Sequence, residues 1–167
     1  MFTGAQDRFD WNLVGKKTML IPHNNSRLGD NGAAEKITSS RNFVDPDLYR
    51  YEEREVAIVE ATLKAGSRHI FPRQMMYVST DEHNGIMIRD HYDGQGNLAK
   101  HQLGSRGIDP AAGNCQYNGE QTIDFATRAF VIQNTLGVGH DDLALEYDTV
   151  NMGMNFYSPD GLRRFAR

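Results

Sequence analysis

The chain has 167 residues, and 18 Lys and Arg against 22 Asp and Glu leave a net charge of −4. A chain of this length buries roughly 68–70% of its unfolded surface, enough for a core without disulfides or metal. The mild acidity and the lack of any Lys/Arg cluster exclude the electrostatic footprint of a nucleic-acid binder. Cys115 is the only cysteine, which excludes an intramolecular disulfide and a cysteine-rich zinc site. Apolar runs such as Ala57 to Val59 and Met75 to Val78 fall far short of the ~20 residues that span a bilayer. The stretch Met1 to Arg8 has no apolar segment of the secretory-signal type.

Taken in chain order, Lys16 to Ile21 reads as a short strand ended by Pro22. His23 to Asn42 is polar and reads as a long loop with a helical turn at Ala33 to Thr38. Asp45-Pro46-Asp47-Leu48 has the capping Asp and N1 proline of a helix start. From Arg50 to Leu103 the pattern is an antiparallel meander. Its first strand runs from Arg50 to Leu63, Lys64-Ala65-Gly66-Ser67 makes a hairpin, and Arg68 to Ser79 returns. A turn at Asp81 to Gly85, built on Asn84-Gly85, leads to a strand from Ile86 to Tyr92. Asp93-Gly94-Gln95-Gly96-Asn97 then turns into a strand beginning at Leu98. Gln121 to Leu136 fits either a strand or a helix. Ser158-Pro159-Asp160-Gly161-Leu162-Arg163-Arg164 has an N-cap, a proline at N1, an acid in the first turn and bases in the last, which predicts a short helix over about 158–166.

Pairing across the turns sets Ile70 against Ala61, Pro72 against Val59, Gln74 against Ala57, and, one hairpin on, Gln74 against His91. Both faces of this sheet are then partly apolar. It packs on each side, or curves around a helix or ligand. Pro72 points to an edge or a bulge.

Chemical motifs are sparse. On that register His69 and His91 lie about 17 Å apart at ~3.3 Å per residue, too far to share a metal. His140-Asp141-Asp142 lacks a second histidine at a ligand spacing and reads as a solvated loop. Counted from Asp90, a calcium-binding hand needs oxygen ligands at the third and twelfth positions, where the chain has Tyr92 and His101, so Asp90 to Asn97 reads as a turn. Cys115 has no helper motif, and no nucleophile elbow, dinucleotide fingerprint or phosphate loop occurs. Glu52, Glu53, Glu55 and Glu60, beside Arg50 and Arg54, read as a charged strand surface. No catalytic residue, metal site or cofactor is expected.

The positive signal is apolar and adaptable. Seven Met, eight Phe and seven Tyr are present, and several fall in the meander. Val56, Ile58, Phe71, Met75, Tyr77, Ile86 and Ile88 are the candidate lining of a cavity for a fluid hydrophobic ligand such as an acyl chain. Composition alone favours the plainer reading of an ordinary core.

Several segments occur together in order: Asp7-Arg8-Phe9-Asp10-Trp11-Asn12-Leu13-Val14-Gly15-Lys16-Lys17, Ile21-Pro22-His23-Asn24-Asn25, Asp47-Leu48-Tyr49-Arg50-Tyr51-Glu52, Val59-Glu60-Ala61-Thr62-Leu63-Lys64 with Arg68-His69, and Asp90-His91-Tyr92-Asp93-Gly94-Gln95-Gly96. With the tail from Phe156 to Arg164, this set resembles the domain of unknown function 1329 family, secreted proteins of Gram-negative bacteria similar to outer-membrane lipoprotein-sorting factors. The match is strong over residues 4–103 and loose over 104–155.

The resemblance implies a mainly β, α+β fold: an incomplete, curved antiparallel half-barrel of the LolA/LolB kind with a few short helices. It implies the periplasm or outer-membrane periphery, and non-enzymatic binding or carriage of a lipid or other hydrophobic or amphipathic molecule. An outer-membrane or transport protein is the implied partner. Family members are longer and carry an export signal, so residues 1–167 read as a single domain or as the C-terminal half of a larger one, the latter accounting for the missing signal. Two rivals stay open. One is an envelope hydrolase acting on lipids or polymers through His140, Asp141 and Asp142 or through the Glu52 to Glu60 acids. The other is an interaction module docking by a sheet edge.

Overall fold

The computed structural model of the chain describes residues 5–25, 28, 36, 47, 49–81, 84–109, 114–133 and 153–165. Seven strands follow one another in chain order: β1 (Phe9–Pro22), β2 (Tyr51–Leu63), β3 (Arg73–Ser79), β4 (Ile86–Tyr92), β5 (Leu98–Asp109), β6 (Asn114–Asp124) and β7 (Ala129–Gln133). Each pairs antiparallel with the next, giving one sheet in the order β1 to β7. An α-helix, α1 (Pro159–Phe165), follows near the end of the chain. The expected open antiparallel sheet is what the chain forms, and the meander extends well beyond Arg50 to Leu103 on both sides.

The differences in detail have local causes. β1 begins at Phe9 rather than Lys16, because all of that stretch pairs with β2 although Asp10 and Asn12 are poor strand formers. β3 begins at Arg73 rather than Arg68. Residues 64–72 form a broad connection, closed where the Leu63 N–H donates to the Pro72 carbonyl at 2.7 Å. Pro72, which has no N–H to give a ladder, therefore lies just outside the strand. The longer connection moves the register: Gln74 faces Ala61 and Met76 faces Val59, so each β3 residue meets β2 four residues away from the tight-hairpin expectation. Across the tighter turn at Asn84, whose φ is 42°, Gln74 faces His91 as expected.

Over residues 121–133, the described part of Gln121 to Leu136, the strand alternative is the one formed. β6 ends at Asp124, whose Oδ1 accepts the backbone N–H groups of Ala126 and Thr127 at 3.0 Å each, and the chain returns as β7. The Asp93 turn is held the same way, with Oδ1 accepting from Gln95 and Asn97 and with Gly96 at φ 83°. At α1 the Ser158 Oγ accepts the Gly161 N–H at 3.0 Å, the cap expected of that sequence. Most of His23 to Asn42, the turn at Ala33 to Thr38 apart from Lys36, and Asp45-Pro46 lie outside the described residues.

The sheet is strongly curled. Just beyond β1, the Asn25 N–H donates to the Arg106 carbonyl of β5 at 2.6 Å, which brings the first strand across to the fifth at that end. The Asn25 side chain, itself buried, accepts the Arg50 N–H at 2.6 Å and ties the start of β2 to the same point. One face of the sheet is thereby concave and the other convex.

Candidate functional site

The concave face is set by the pairing of Ile21 with Glu52, Lys17 with Val56, Ile58 with Tyr77, Tyr77 with Ile88, and Ile88 with Leu103. Paired residues in an antiparallel ladder share a face. Ile21, Val56, Met87 and Ile88 form a buried cluster there, and the half-buried Met19, Ile58, Tyr77 and Leu103 pack against it. Met87 joins through a bulge: Tyr77 faces Ile88 while Val78 faces Ile86, so β4 has an extra residue and turns two successive side chains inward. Further round the curl, Leu28 and Tyr49 pack with Phe130 and Ile132. Burial, with the neighbouring Tyr51 second, raises the Tyr49 hydroxyl above its ordinary range.

Along the strands this lining changes character. Past Ile58 and Tyr77 come Met75, which faces Glu60 on β2 and Asp90 on β4, and then Arg73 and Tyr92. Asp90 Oδ1 meets His101 Nδ1 at 2.6 Å, Arg73 Nε donates to Glu60 Oε1 at 2.6 Å, and the Arg73 guanidinium lies 4.5 Å from the centre of the Tyr92 ring. The hydrogen bond to Glu60 raises the Arg73 pKa against the opposing effect of burial. Lys17 extends over the Tyr77 ring at 5.3 Å, and burial raises the Tyr77 hydroxyl, with the Asp90 charge adding to it. The apolar stretch of the concave face thus lies between charged groups, Glu52 with His23 and Arg54 at the curled end and Asp90, His101, Glu60 and Arg73 at the other.

Of the residues expected to line a cavity, Val56, Ile58, Tyr77 and Ile88 come together here, and Met75 sits beside them toward the charged end. Ile86 does not. The bulge sends it to the convex face, where it packs with Phe9, Ala61 and Met76. Phe71 lies in the β2–β3 connection, its ring 4.9 Å from that of His91, also on the convex side. The sequence reading missed Met19, Ile21, Met87 and Leu103. The alternation of Lys17, Met19 and Ile21 in β1 signals two of these, while Met87 depends on the bulge and has no local signal.

The acids of β2 do not converge. Glu52 meets His23, Arg50 and Arg54; Glu55 meets Lys16 and Thr80; Glu60 meets Arg73. Burial works to raise Glu52, but the Arg54 hydrogen bond and the His23, Arg54 and Arg50 charges hold it below the usual carboxylate range. His69 and His91 are closer than the strand estimate, because the connection folds back and both rings contact Phe71. His140, Asp141 and Asp142 lie outside the described residues. Among the described residues no cluster of three or more His, Cys, Asp or Glu is placed to hold a metal. None of the described helices is long and apolar enough to cross a membrane.

The chain is similar to an uncharacterised protein of Pseudomonas aeruginosa, PA3922, with 42% identity over 98 residues, which is 59% of this chain and 21% of that protein. A solved DUF1329 family protein from Desulfovibrio piger aligns with 93% of this chain and 48% of its own at 16% identity and a TM-score of 0.47. A candidate outer membrane lipoprotein-sorting protein domain from Vibrio parahaemolyticus aligns with 95% of this chain and 49% of its own at 10% identity and a TM-score of 0.45. The chain therefore spans about half the length of these solved proteins and about a fifth of the curated relative. Both TM-scores are too low to carry an argument, so the assignment rests on the family model, which runs through residues 1–163. The chain belongs to the DUF1329 family, a protein family of unknown function.

Proposed function

We propose that the concave face of the sheet binds the hydrophobic part of an amphipathic molecule, a lipid of the cell envelope, and performs no chemistry on it. The observation behind this reading is an apolar stretch of that face that runs on to charged pairs beyond Met75. Apolar and Met side chains (Met19, Ile58, Tyr77, Leu103) border the buried cluster, and the paired charges of Asp90, His101, Glu60 and Arg73 border the other end. An acyl chain suits the first set and a polar head the second. The separate pairing of Glu52, Glu55 and Glu60 favours carriage over acid–base work. Residence in the periplasm or at the outer-membrane periphery follows from the same reading, which applies to whatever longer protein the family normally builds.

Lipid extraction and mass spectrometry on protein purified from its native envelope tests this. Co-purified lipid is expected, together with binding of a fluorescent acyl probe. Ile58→Asp, at a half-buried position, should weaken that probe by at least about tenfold, or about 1.4 kcal/mol, while circular dichroism stays native. Absence of lipid together with no response to acylated probes overturns the proposal.

A second reading has one observation of its own. Among the described residues β1 is an edge strand with exposed Trp11, Leu13 and Leu20, which suits docking of a partner strand. Probe binding that survives Ile58→Asp but pull-down of an envelope protein that is lost on Leu13→Lys would favour it over lipid carriage.

A further inference from the structure

We propose that Gln74 and His91, on the convex face beneath Phe71, form a binding site for a single hydroxyl group, supplied by water or by a hydroxyl-bearing ligand. The site is separate from the concave face and does not depend on the reading given to it.

The argument starts from a buried polar row. Gln74, Arg89, His91 and Glu120 are all buried, His91 at 6% exposure and Gln74 at 0%. Glu120 Oε1 accepts from Gln102 Nε2 at 2.7 Å, and Thr122 Oγ1 lies 3.1 Å from the same nitrogen. That assigns Gln102 Oε1 as the atom facing His91 Nε2 at 2.8 Å. An amide oxygen only accepts, so His91 Nε2 bears the proton and Nδ1 of the neutral ring is a bare acceptor. Gln74 is oriented by the same logic. Its Oε1 accepts from Arg89 Nε at 2.9 Å and also from Nη2, which leaves Nε2 as a pure donor.

Both remaining atoms, Gln74 Nε2 and His91 Nδ1, are buried and without a hydrogen-bond partner. They belong to residues directly opposite one another on neighbouring strands. A buried donor and a buried acceptor each lose their hydration on folding, and such groups are nearly always satisfied. An ammonium ion would meet the lone pair but clash with the Gln74 N–H, and a carboxylate would do the reverse. A hydroxyl accepts from one and donates to the other, and is the smallest group that does so. Water meets the same description.

The surroundings suit such a guest. The Phe71 ring covers His91, His69 flanks Phe71 at 5.9 Å, and Lys100 Nζ lies 5.7 Å from the Phe71 ring. Burial, with the neighbouring Arg89 on the same strand, His69 from the connection and Lys100 on β5 adding to it, keeps the His91 ring neutral and Nδ1 free to accept.

Two measurements on the full chain decide the matter. A high-resolution crystal structure should show a peak within hydrogen-bond distance of both Gln74 Nε2 and His91 Nδ1. Long-range proton–nitrogen spectra should report the Nε2–H tautomer of His91, with Nδ1 shifted as a hydrogen-bond acceptor. A one-atom peak with a water-to-protein Overhauser effect supports the site and identifies water. Density continuing from the oxygen into carbon supports it and identifies a ligand hydroxyl. An empty gap with an unshifted Nδ1, or an Nδ1–H tautomer, overturns it. Gln74→Met keeps the side-chain length and removes the donor, so the peak and the Nδ1 shift should both be lost. If that variant does not fold, the wild-type spectra still decide.

Discussion

The two faces of this sheet each bury a set of side chains, yet those sets are built from different chemistry. The concave face has an apolar middle, with Ile21, Val56, Met87 and Ile88 packed on one another and ion pairs toward both ends. The convex face is apolar near β1 to β3, where Phe9, Ala61 and Met76 cluster, and then becomes polar, with Gln74 bonded to Arg89 and His91 bonded through Gln102 to Glu120. Van der Waals packing tolerates rearrangement and suits a face that takes up a fluid guest. A buried polar row does not, because every atom left without a partner costs free energy. The convex face therefore fixes the register of β3 to β6 more strictly than the concave one.

Ways to break this contrast can be ranked by size. Val56→Asp places a carboxylate in the concave cluster at a fully buried position; it should unfold the chain or destabilise it by on the order of 4 kcal/mol, read by urea denaturation. Ile88→Ala should cost about 3 kcal/mol through transfer and cavity terms, and a far smaller loss would mean the cluster collapses readily.

The convex row should appear as pH dependence. Burial, only partly offset by the Gln102 hydrogen bond, pushes the His91 pKa down from 6.5 to about 4, with Arg89, His69 and Lys100 adding to the depression. A folded-state pKa below the unfolded value means the native chain binds fewer protons. The stabilisation is therefore complete above pH 6.5 and is lost as pH falls toward 4. The difference between wild type and His91→Phe should change by about 3 kcal/mol across that window. A parallel pH profile for the two proteins would show that His91 is not desolvated.

The smallest effect belongs to the charged rim of the concave face. A double-mutant cycle on Glu60 and Arg73 should give less than about 1 kcal/mol of coupling, since the Arg73 side chain is substantially exposed and solvent screens the pair. A larger coupling would put that end of the face in a drier environment than its exposure indicates.

The cavity-lining expectation shows how much of the site was legible. The β2–β3 register was misplaced by four residues, yet Val56, Ile58, Met75 and Tyr77 were still assigned to one face, because side chains alternate with period two and an even shift preserves the face. The bulge at Met87 is an odd shift. It carried Ile86 to the other side and brought in Met87, and no residue pattern around Ile86-Met87-Ile88 announces it. Phe71 was read as a strand residue because the hairpin at Gly66 looked tight. Its actual place, in a broad connection folded over His91, is set by contacts across the sheet.

Turn chemistry and alternation are local, acting through backbone preferences a few residues long. From them follow the strands on either side of the turns at Asn84 and Asp93, those turns themselves, the pairing of Gln74 with His91, and the cap at Ser158. Curvature, the choice of which face closes on itself, and the burial of the row from Gln74 to Glu120 belong to the tertiary structure. They depend on contacts between residues far apart in the chain, such as Asn25 with Arg106, whose free energy no short segment contains.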